Sequence, residues 1–259
     1  YEIAQCLVGS EMCIRDRIWG YIMTPEKIKP RWVFRGASSE EKVAVPDFFN
    51  LNNIPEGTAR IMMRRGISTE EKLTHFLYDT LDNLSDPFLM KGMQQAVRRI
   101  IQAIDLKEKI VIYGDYDVDG ITSTSICVRC LRKLGADVNF YIPLREEEGY
   151  GLNRDAINKL SKEGVSLLIT VDCGISSADL VAEAPQSLDI IITDHHQPPK
   201  VLPDCVAVLN PHQEDCPYPY KELAGCGVAF TLCRGIYKEL YNEDYKENIE
   251  LVALGTIAA

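Results

Sequence analysis

The chain has 259 residues, enough for one large domain or two modest ones and for a core that needs no disulfide framework. Apolar residues make up 46% and charged residues 25%, so neither a disordered nor a fibrous class fits. With 28 basic and 38 acidic residues the net charge is −10, which argues against a protein that binds nucleic acid mainly through a broad basic surface. The nine cysteines are typical of reduced thiols in a cytoplasmic protein, and no apolar run reaches the ~18 residues of a membrane span.

Both ends of the sequence are atypical. The chain opens on Tyr1 rather than Met, and CLVGSEMCIRDR resembles translated adapter sequence, so residues 1–17 are predicted to be a non-native artefact. The closing NIELVALGTIAA ends inside an apolar run without a terminating cap. We therefore expect a fragment, with a true C-terminal helix as the alternative.

From residue 18 to 85 the sequence is mixed, and we expect a segment with a helix that wraps over another part of the protein. Asp86 and Pro87 then open DPFLMKGMQQAVRRIIQAI, whose apolar residues recur at spacings of three and four. This pattern predicts an amphipathic helix with Asp86 as N-cap and Pro87 at the first helical position.

Short β-branched runs alternate with helical segments after this helix. In order they are KIVIY, a helix near 120–134, VNFYI, a helix near 153–163, SLLIT, a short helix, DIIIT and VAVLN. Such alternation predicts an α/β fold, with a parallel sheet flanked by helices on both faces.

Polar clusters follow three of these strands. KIVIY runs into GDYDVDG, SLLIT into VDCG, and DIIIT into DHH. In open parallel sheets the ligand crevice lies beyond the carboxyl ends of the strands, so we expect the three clusters to form one site.

The residue types of this site are those of a metal centre. Asp115, Asp117 and Asp119 alternate before Gly120, where we expect a sharp turn, and three such close carboxylates repel each other unless cations neutralise them. Asp172, which taken alone is more typical of a helix N-cap, follows the second strand, and the third cluster supplies a carboxylate and two imidazoles, Asp194, His195 and His196. Carboxylate and imidazole together suit Mn²⁺, Fe²⁺ and Zn²⁺ and, less strongly, Mg²⁺.

Three other interpretations of GDYDVDG compete with a metal site shared by all three clusters. A solvated acidic turn is one. An EF-hand loop from Asp115 is excluded, because its twelfth position is Ile126 where a Glu is required and a strand precedes it. The nucleophile loop of a haloacid-dehalogenase-type phosphatase, with Asp117 as nucleophile, leaves DHH unexplained and lacks that family's later acidic pair and lysine.

GDYDVDG, VDCG and TDHH, in this order, resemble the DHH phosphoesterase superfamily, and within it the RecJ-type single-stranded-DNA exonucleases. The resemblance extends through DPFLMKGMQQAVRRI, IPLREEEGYGLN and YPYKELAGCGVAF and covers about 30–259. It implies that 86–259 is a catalytic domain truncated at its C-terminal end. The DHHA1 and OB-fold domains of the family are absent from the sequence, and Ala259 stands where the family's fourth motif has a metal-bridging Asp.

The resemblance also implies the roles of individual residues. The metal ligands would be Asp117, Asp119, Asp172 and His195, with Asp115 and His196 in or beside the ligand shell. Asp119, Asp172, His195 and His196 would be catalytic, and His196 would touch the scissile phosphate. Two Mn²⁺ or Mg²⁺ ions would activate a water for attack on the phosphodiester and reverse the negative potential of the acidic site.

Several further residues are candidates for substrate contacts. Arg145 follows a strand end and is predicted to hold a phosphate, with pairing to Glu146–Glu148 as the alternative, while Tyr150 and Gly151 belong to a loop beside the site. Gly225 and Gly227 open an apolar helix whose amides are predicted to bind a terminal phosphate, unless they form a simple packing turn.

Two other polar groups are assigned no function. Cys127 and Cys130 have the spacing of half a zinc site, but without a second pair we predict helix packing. His212 is predicted to be a polar loop residue.

The sequence therefore predicts a metal-dependent 5′ to 3′ exonuclease core that releases 5′-mononucleotides from single-stranded DNA in repair and recombination. A single-strand-binding protein and a helicase are the expected partners, and no membrane contact is expected. Two alternatives stay open. One is a phosphodiesterase of the same fold acting on short oligonucleotides or cyclic dinucleotides, and the other is a noncatalytic replication scaffold, which only Ala259 supports.

Overall fold

A computed structural model describes residues 44–143 and 151–259. The predicted artefact at 1–17 lies outside these residues. The chain divides into two compact units between Leu77 and Tyr78, eight residues before the predicted boundary at 85/86.

The first unit contains three helices, α1 (Asp47–Leu51), α2 (Glu56–Arg64) and α3 (Glu70–Tyr78), the last of which ends at the boundary. Prolines precede α1 and α2 in extended conformation, as expected at helix starts. Four buried side chains hold the unit together: Phe49, Ala59, Met62 and Leu73.

The second unit is an α/β layer structure built on five parallel strands. The strands are β1 (Lys109–Tyr113), β2 (Asp137–Tyr141), β3 (Val165–Val171), β4 (Asp189–Thr193) and β5 (Ala207–Leu209). Their order in the sheet is β2-β1-β3-β4-β5, and every neighbouring pair is parallel. The predicted fold class is confirmed, and each predicted strand overlaps an observed one.

Helices cover both faces of the sheet. Their bounds are α4 (Met93–Asp105), α5 (Val118–Lys133), α6 (Arg154–Lys162), α7 (Ala178–Ala182), α8 (Gly225–Tyr241) and α9 (Ile249–Ala258). Residues of α4, α5 and α8 pack on one face, against a set that includes Ile110, Ile112 and Ile169. Residues of α6 and α7 pack on the other face, against the alternate positions Val111, Leu168 and Ile190. Because side chains alternate across a strand, the mostly apolar runs of β1, β3 and β4 contribute to both cores.

The predicted helix from Pro87 is wrong in its start. Asp86 caps a short 3₁₀ turn, Pro87–Leu89, through a 3.1 Å bond from the Phe88 amide to its carboxylate. Helix α4 begins only at Met93, after Gly92 with φ of +84°. A Cβ at Gly92 would lie 2.7 Å from the Val208 carbonyl oxygen, so β5 approaches the chain too closely for any other residue. A second 3₁₀ turn, Leu81–Asn83, precedes the first.

The described cysteines and helices bear on two expectations from composition, which are reduced thiols and the lack of a membrane span. The seven cysteines of the described residues are all free thiols. Cys127 and Cys130 are buried on α5, where the packing interpretation places them. In the part of the chain that the structure describes, no helix has the length and apolar character needed to cross a membrane.

Candidate metal centre

The three polar clusters lie at one edge of the sheet. They follow β1, β3 and β4, which are neighbours in the sheet and run in the same direction. Two groups of side chains are close enough to share a cation, with the ligand atoms of each group within 4.8 Å of one another. The first group is Asp115, Asp117 and Asp172, and the second is Asp172, His195 and His196. The sequence prediction that the strand ends form one cluster therefore agrees with the geometry.

Two carboxylates of the first group, Asp115 and Asp117, come from a loop and from the start of a helix. Asp115 is buried and follows β1 directly, whereas Asp117 is exposed and is the N-cap of α5, accepting a 2.9 Å hydrogen bond from the Gly120 amide. The short side chain of an N-cap Asp reaches its own helix, which fixes the carboxylate beside the sheet edge.

Gly120 does not form the sharp turn that we predicted. It lies in the first turn of α5, and an added Cβ would lie 2.6 Å from the Asp115 carbonyl oxygen. Glycine is required here because the helix packs directly on the backbone that carries Asp115.

Gly120→Ala is therefore expected to displace Asp115. We expect unfolding free energy to fall by about 1–3 kcal/mol, the usual cost of overpacking, and Mn²⁺ affinity to fall at least about tenfold. Urea unfolding and calorimetric Mn²⁺ titration measure the two effects. Gly57→Ala in α2 is the matched control, since an added Cβ there meets nothing within 4 Å. Unchanged Mn²⁺ affinity in Gly120→Ala would contradict the prediction.

Asp172 joins the two groups and has an unusual backbone. Its φ is +60°, in the left-handed region that non-glycine residues seldom adopt, and it does not cap a helix as its sequence context alone suggested. Its Oδ1 lies 3.1 Å from His195 Nε2. Gly225 must lack a side chain, because an added Cβ would lie 2.5 Å from this same oxygen.

The electrostatics of the site disfavour the ionised form of Asp172, mainly through burial. Burial, together with repulsion from Asp119 and Asp117, raises the pKa of Asp172 from 3.8 to about 6, although His195 opposes this shift. The hydrogen bond to Asp172 raises the pKa of His195 in return. Buried carboxylates that resist ionisation in this way are stabilised by a bound cation.

Asp119, a metal ligand and catalytic residue by the resemblance, stays a predicted ligand and also has hydrogen-bond partners within the protein. Its two carboxylate oxygens accept 2.7 Å hydrogen bonds from the Gly225 and Cys226 amides, so it caps α8 across the fold. Its Oδ2 lies 3.6 Å from His195 Nε2, but Asp119 belongs to neither group of candidate ligands. The carboxylate completes the helix N-terminus, where unpaired amides and the helix dipole favour negative charge.

Asp119→Asn is expected to lower the unfolding free energy by about 1–3 kcal/mol, because one buried amide of α8 loses its acceptor. Urea unfolding measures the loss. Asp137→Asn, at the exposed start of β2, is the control and should change stability by less than about 0.5 kcal/mol. Equal stability of the two variants would show that Asp119 does not hold α8.

The amides of Gly225 and Gly227, predicted to bind a phosphate, have partners within the protein. The Gly225 amide donates to Asp119 and the Gly227 amide donates to the Ala224 carbonyl oxygen at 2.9 Å. A phosphate would have to displace these bonds, so the structure favours the packing alternative.

The third cluster is held by hydrogen bonds that the sequence did not reveal. Asp194 Oδ1 lies 2.7 Å from His196 Nδ1, and this bond raises the pKa of His196. Burial would raise the pKa of Asp194, but bonds from His196 and from the Ile175 amide lower it. The buried Asn210 donates to the His196 carbonyl oxygen at 2.8 Å. The Asn-Pro pair after β5 was the only sequence signal for Asn210.

Arg145 and Tyr150 are outside the described residues. Gly151 has φ of +79° and its carbonyl oxygen accepts a 2.9 Å hydrogen bond from Tyr113 Oη. His212 Nδ1 lies 3.4 Å from Gln197 Nε2 and belongs to neither group of candidate ligands.

Comparisons with known proteins place this architecture in a family. The profile described as "DHH family, N-terminal domain" matches residues 109–256. The chain is 44% identical over 231 residues to the single-stranded-DNA-specific exonuclease RecJ of Bacillus subtilis, covering 89% of this chain and 28% of the relative. It is 42% identical over 190 residues to the same-named protein of Haemophilus influenzae, covering 69% of this chain and 33% of the relative.

Solved structures agree with the sequence relatives. Exonuclease RecJ bound to manganese superposes with a TM-score of 0.61 and 37% identity, over 65% of this chain and 43% of that one. RecJ of Thermus thermophilus in complex with Mn²⁺ gives a TM-score of 0.64 and 30% identity, over 82% of this chain and 30% of that one. The chain thus spans less than half of each of these proteins, and its matched part carries the three strand-end clusters. On the profile match, the chain belongs to the DHH family.

Proposed function

We propose that this chain is the catalytic part of a metal-dependent phosphodiesterase that degrades single-stranded DNA. One observation carries the proposal: Asp172 belongs to two groups of candidate metal ligands that meet at the carboxyl edge of the sheet. Relatives named single-stranded-DNA-specific exonucleases share this part of the chain at up to 44% identity.

The residues fit a pair of Mn²⁺ or Mg²⁺ ions. Asp115, Asp117 and Asp172 would hold one ion through carboxylate oxygens, and Asp172, His195 and His196 would hold or flank the other. Burial, with a smaller contribution from the neighbouring carboxylates, raises the pKa of Asp172, and a bound cation would favour its ionised form. When bound, the ions would supply charge stabilisation at the phosphate and lower the pKa of the attacking water.

The side chains around the site have separate tasks. Asp117 and Asp172 approach from a helix start and a strand end, so the carboxylates hold fixed positions on rigid elements. His196 is half-exposed at the rim, where its protonated ring can donate through Nε2 to a phosphate oxygen of the substrate while Nδ1 stays bound to Asp194. The net charge of −10 would otherwise repel DNA, so substrate binding depends on the loaded site.

The whole protein's activity is part of the same proposal. We assign it 5′ to 3′ release of 5′-mononucleotides in DNA repair and recombination, with a single-strand-binding protein and a helicase as partners in the cytoplasm. The support is the resemblance to RecJ-type exonucleases and the similarity to two curated relatives, of which this chain spans 28% and 33%.

The test is nucleotide release from 5′-phosphorylated single-stranded DNA with Mn²⁺. We expect release that stops with EDTA, is restored by added Mn²⁺, and is slower on duplex DNA of the same sequence. A labelled dinucleotide and a cyclic dinucleotide serve as competing substrates. Faster turnover of either small substrate would replace the proposed substrate, and DNA binding without any turnover would point to a noncatalytic scaffold.

A further inference from the structure

Asp194 directly follows β4 and has four nitrogen atoms within hydrogen-bond distance of its carboxylate. Its Oδ1 lies 2.7 Å from the His195 amide nitrogen, 3.1 Å from that of His196 and 2.7 Å from His196 Nδ1. Its Oδ2 accepts a 2.9 Å hydrogen bond from the Ile175 amide. The residue is 1% exposed, so these contacts replace water almost completely.

These contacts define the orientation of the His196 ring. An ionised carboxylate only accepts hydrogen bonds, so the nitrogen that faces it, Nδ1, must carry the proton. In the neutral ring Nε2 is then the nitrogen with the lone pair, and it lies on the side of the ring away from Asp194. The Asn210 bond to the His196 carbonyl oxygen fixes the backbone beneath the ring.

The bond to Ile175 reaches the neighbouring strand end. Ile175 lies three residues after Asp172, in a loop that contains two positive φ angles, +60° at Asp172 and +107° at Gly174. Such backbone persists only where surrounding contacts hold it. Thr170 Oγ1 donates to the Cys173 carbonyl oxygen at 2.8 Å, and Asp194 supplies the anchor from β4.

We infer that Asp194 is a positioning residue, which fixes the tautomer and orientation of His196 and couples it to the loop that carries Asp172. Asp194 would therefore keep the His196 ring aligned with Asp172, the residue that both groups of candidate ligands share. The catalytic consequence rests on the proposed function, whereas the tautomer of His196 does not.

The first test is nitrogen-15 NMR of the histidine rings in the metal-free chain. At a pH above the His196 pKa we expect the tautomer protonated at Nδ1, identified by the signal that disappears in His196→Gln. In Asp194→Asn we expect the population to shift toward the tautomer protonated at Nε2. Asp204→Asn, an exposed position between β4 and β5, is the control and should leave the wild-type spectrum.

The second test is nucleotide release with Mn²⁺ for the same variants. We expect Asp194→Asn to slow release by about 10- to 100-fold, the usual effect of losing a carboxylate behind a functional histidine, and Asp204→Asn to leave it unchanged. A wild-type ring protonated at Nε2 overturns the inference, and this measurement stands even if Asp194→Asn does not fold. A shifted tautomer with undiminished release overturns the catalytic consequence. Absence of release from the wild-type chain counts against the proposed function and leaves the tautomer result valid.

Discussion

Replacing Asp172 by Asn is expected to lower Mn²⁺-dependent nucleotide release by about 10³-fold or more. Asp172 is shared by both groups of candidate ligands, so one substitution weakens both. A loss of ~4 kcal/mol of transition-state stabilisation corresponds to this factor, and bound metals supply stabilisation of that order. Initial rates at saturating Mn²⁺ and DNA measure the effect.

Asn is the informative replacement because it changes the charge and little else. It keeps the volume that packs against Gly225, and it tolerates a φ of +60° better than Ala does. Loss of activity in this variant therefore reports the carboxylate rather than a collapsed loop.

The unfolding free energy of Asp172→Asn should increase, whereas its activity should fall. The pKa of Asp172 is raised in the fold to about 6, so its ionised form opposes folding above that pH. Without metal, Asp172→Asn should gain about 2 kcal/mol near neutral pH, and the gain should vanish below pH ~4, where the wild-type carboxyl is protonated in both states. Urea unfolding in EDTA at the two pH values measures it.

Two controls accompany the Asp172 experiment. Asp204→Asn removes an exposed carboxylate between β4 and β5, and both its activity and its stability should match the wild type. An Asp172→Asn chain that is less stable than the wild type in EDTA, or one that retains activity, would contradict the role assigned to this residue.

The sequence predicted the sheet and the clustering of polar residues for reasons that are local. β1, β3 and β4 are short, mostly apolar runs rich in β-branched residues, and this length and composition favour strands that are buried on both faces. Since the strands are parallel and adjacent, residues that follow them must meet at one edge. The sequence alone therefore predicts that Asp115, Asp172 and His195 lie together.

What the sequence missed depends on contacts between distant segments. Helix α4 starts at Met93 rather than at Pro87. The backbone at Gly92, just before it, lies so close to the Val208 carbonyl oxygen of β5 that only glycine fits there. Asp119 caps α8 through amides more than a hundred residues later in the chain, and neither segment has a motif for this bond. The positive φ of Asp172 is also invisible, since aspartate occupies both right- and left-handed regions.

A second large effect is expected far from the strand-end site, at Arg234. This residue is 3% exposed in α8, and its Nε and Nη2 donate to Asp244 at 2.7 and 2.8 Å. Its Nη1 donates to the Ser85 carbonyl oxygen at 2.9 Å. One guanidinium thus ties the segment before Asp86 and the connection between α8 and α9 to the same helix.

Arg234→Met is expected to lower the unfolding free energy by about 2–4 kcal/mol, because the half-buried Asp244 carboxylate and the Ser85 carbonyl oxygen both lose their donor. Lys238→Met, one turn further along α8, is the matched control. Lys238 Nζ lies 3.1 Å from Asp86 Oδ1, but both side chains are more than a third exposed, so its loss should cost less than about 1 kcal/mol. Arg234→Met combined with Asp244→Leu should recover part of the stability, since no charge is then left unpaired. Urea unfolding of the four chains measures these differences, and equal losses for Arg234→Met and Lys238→Met would show that the Arg234 pair does not hold these segments together.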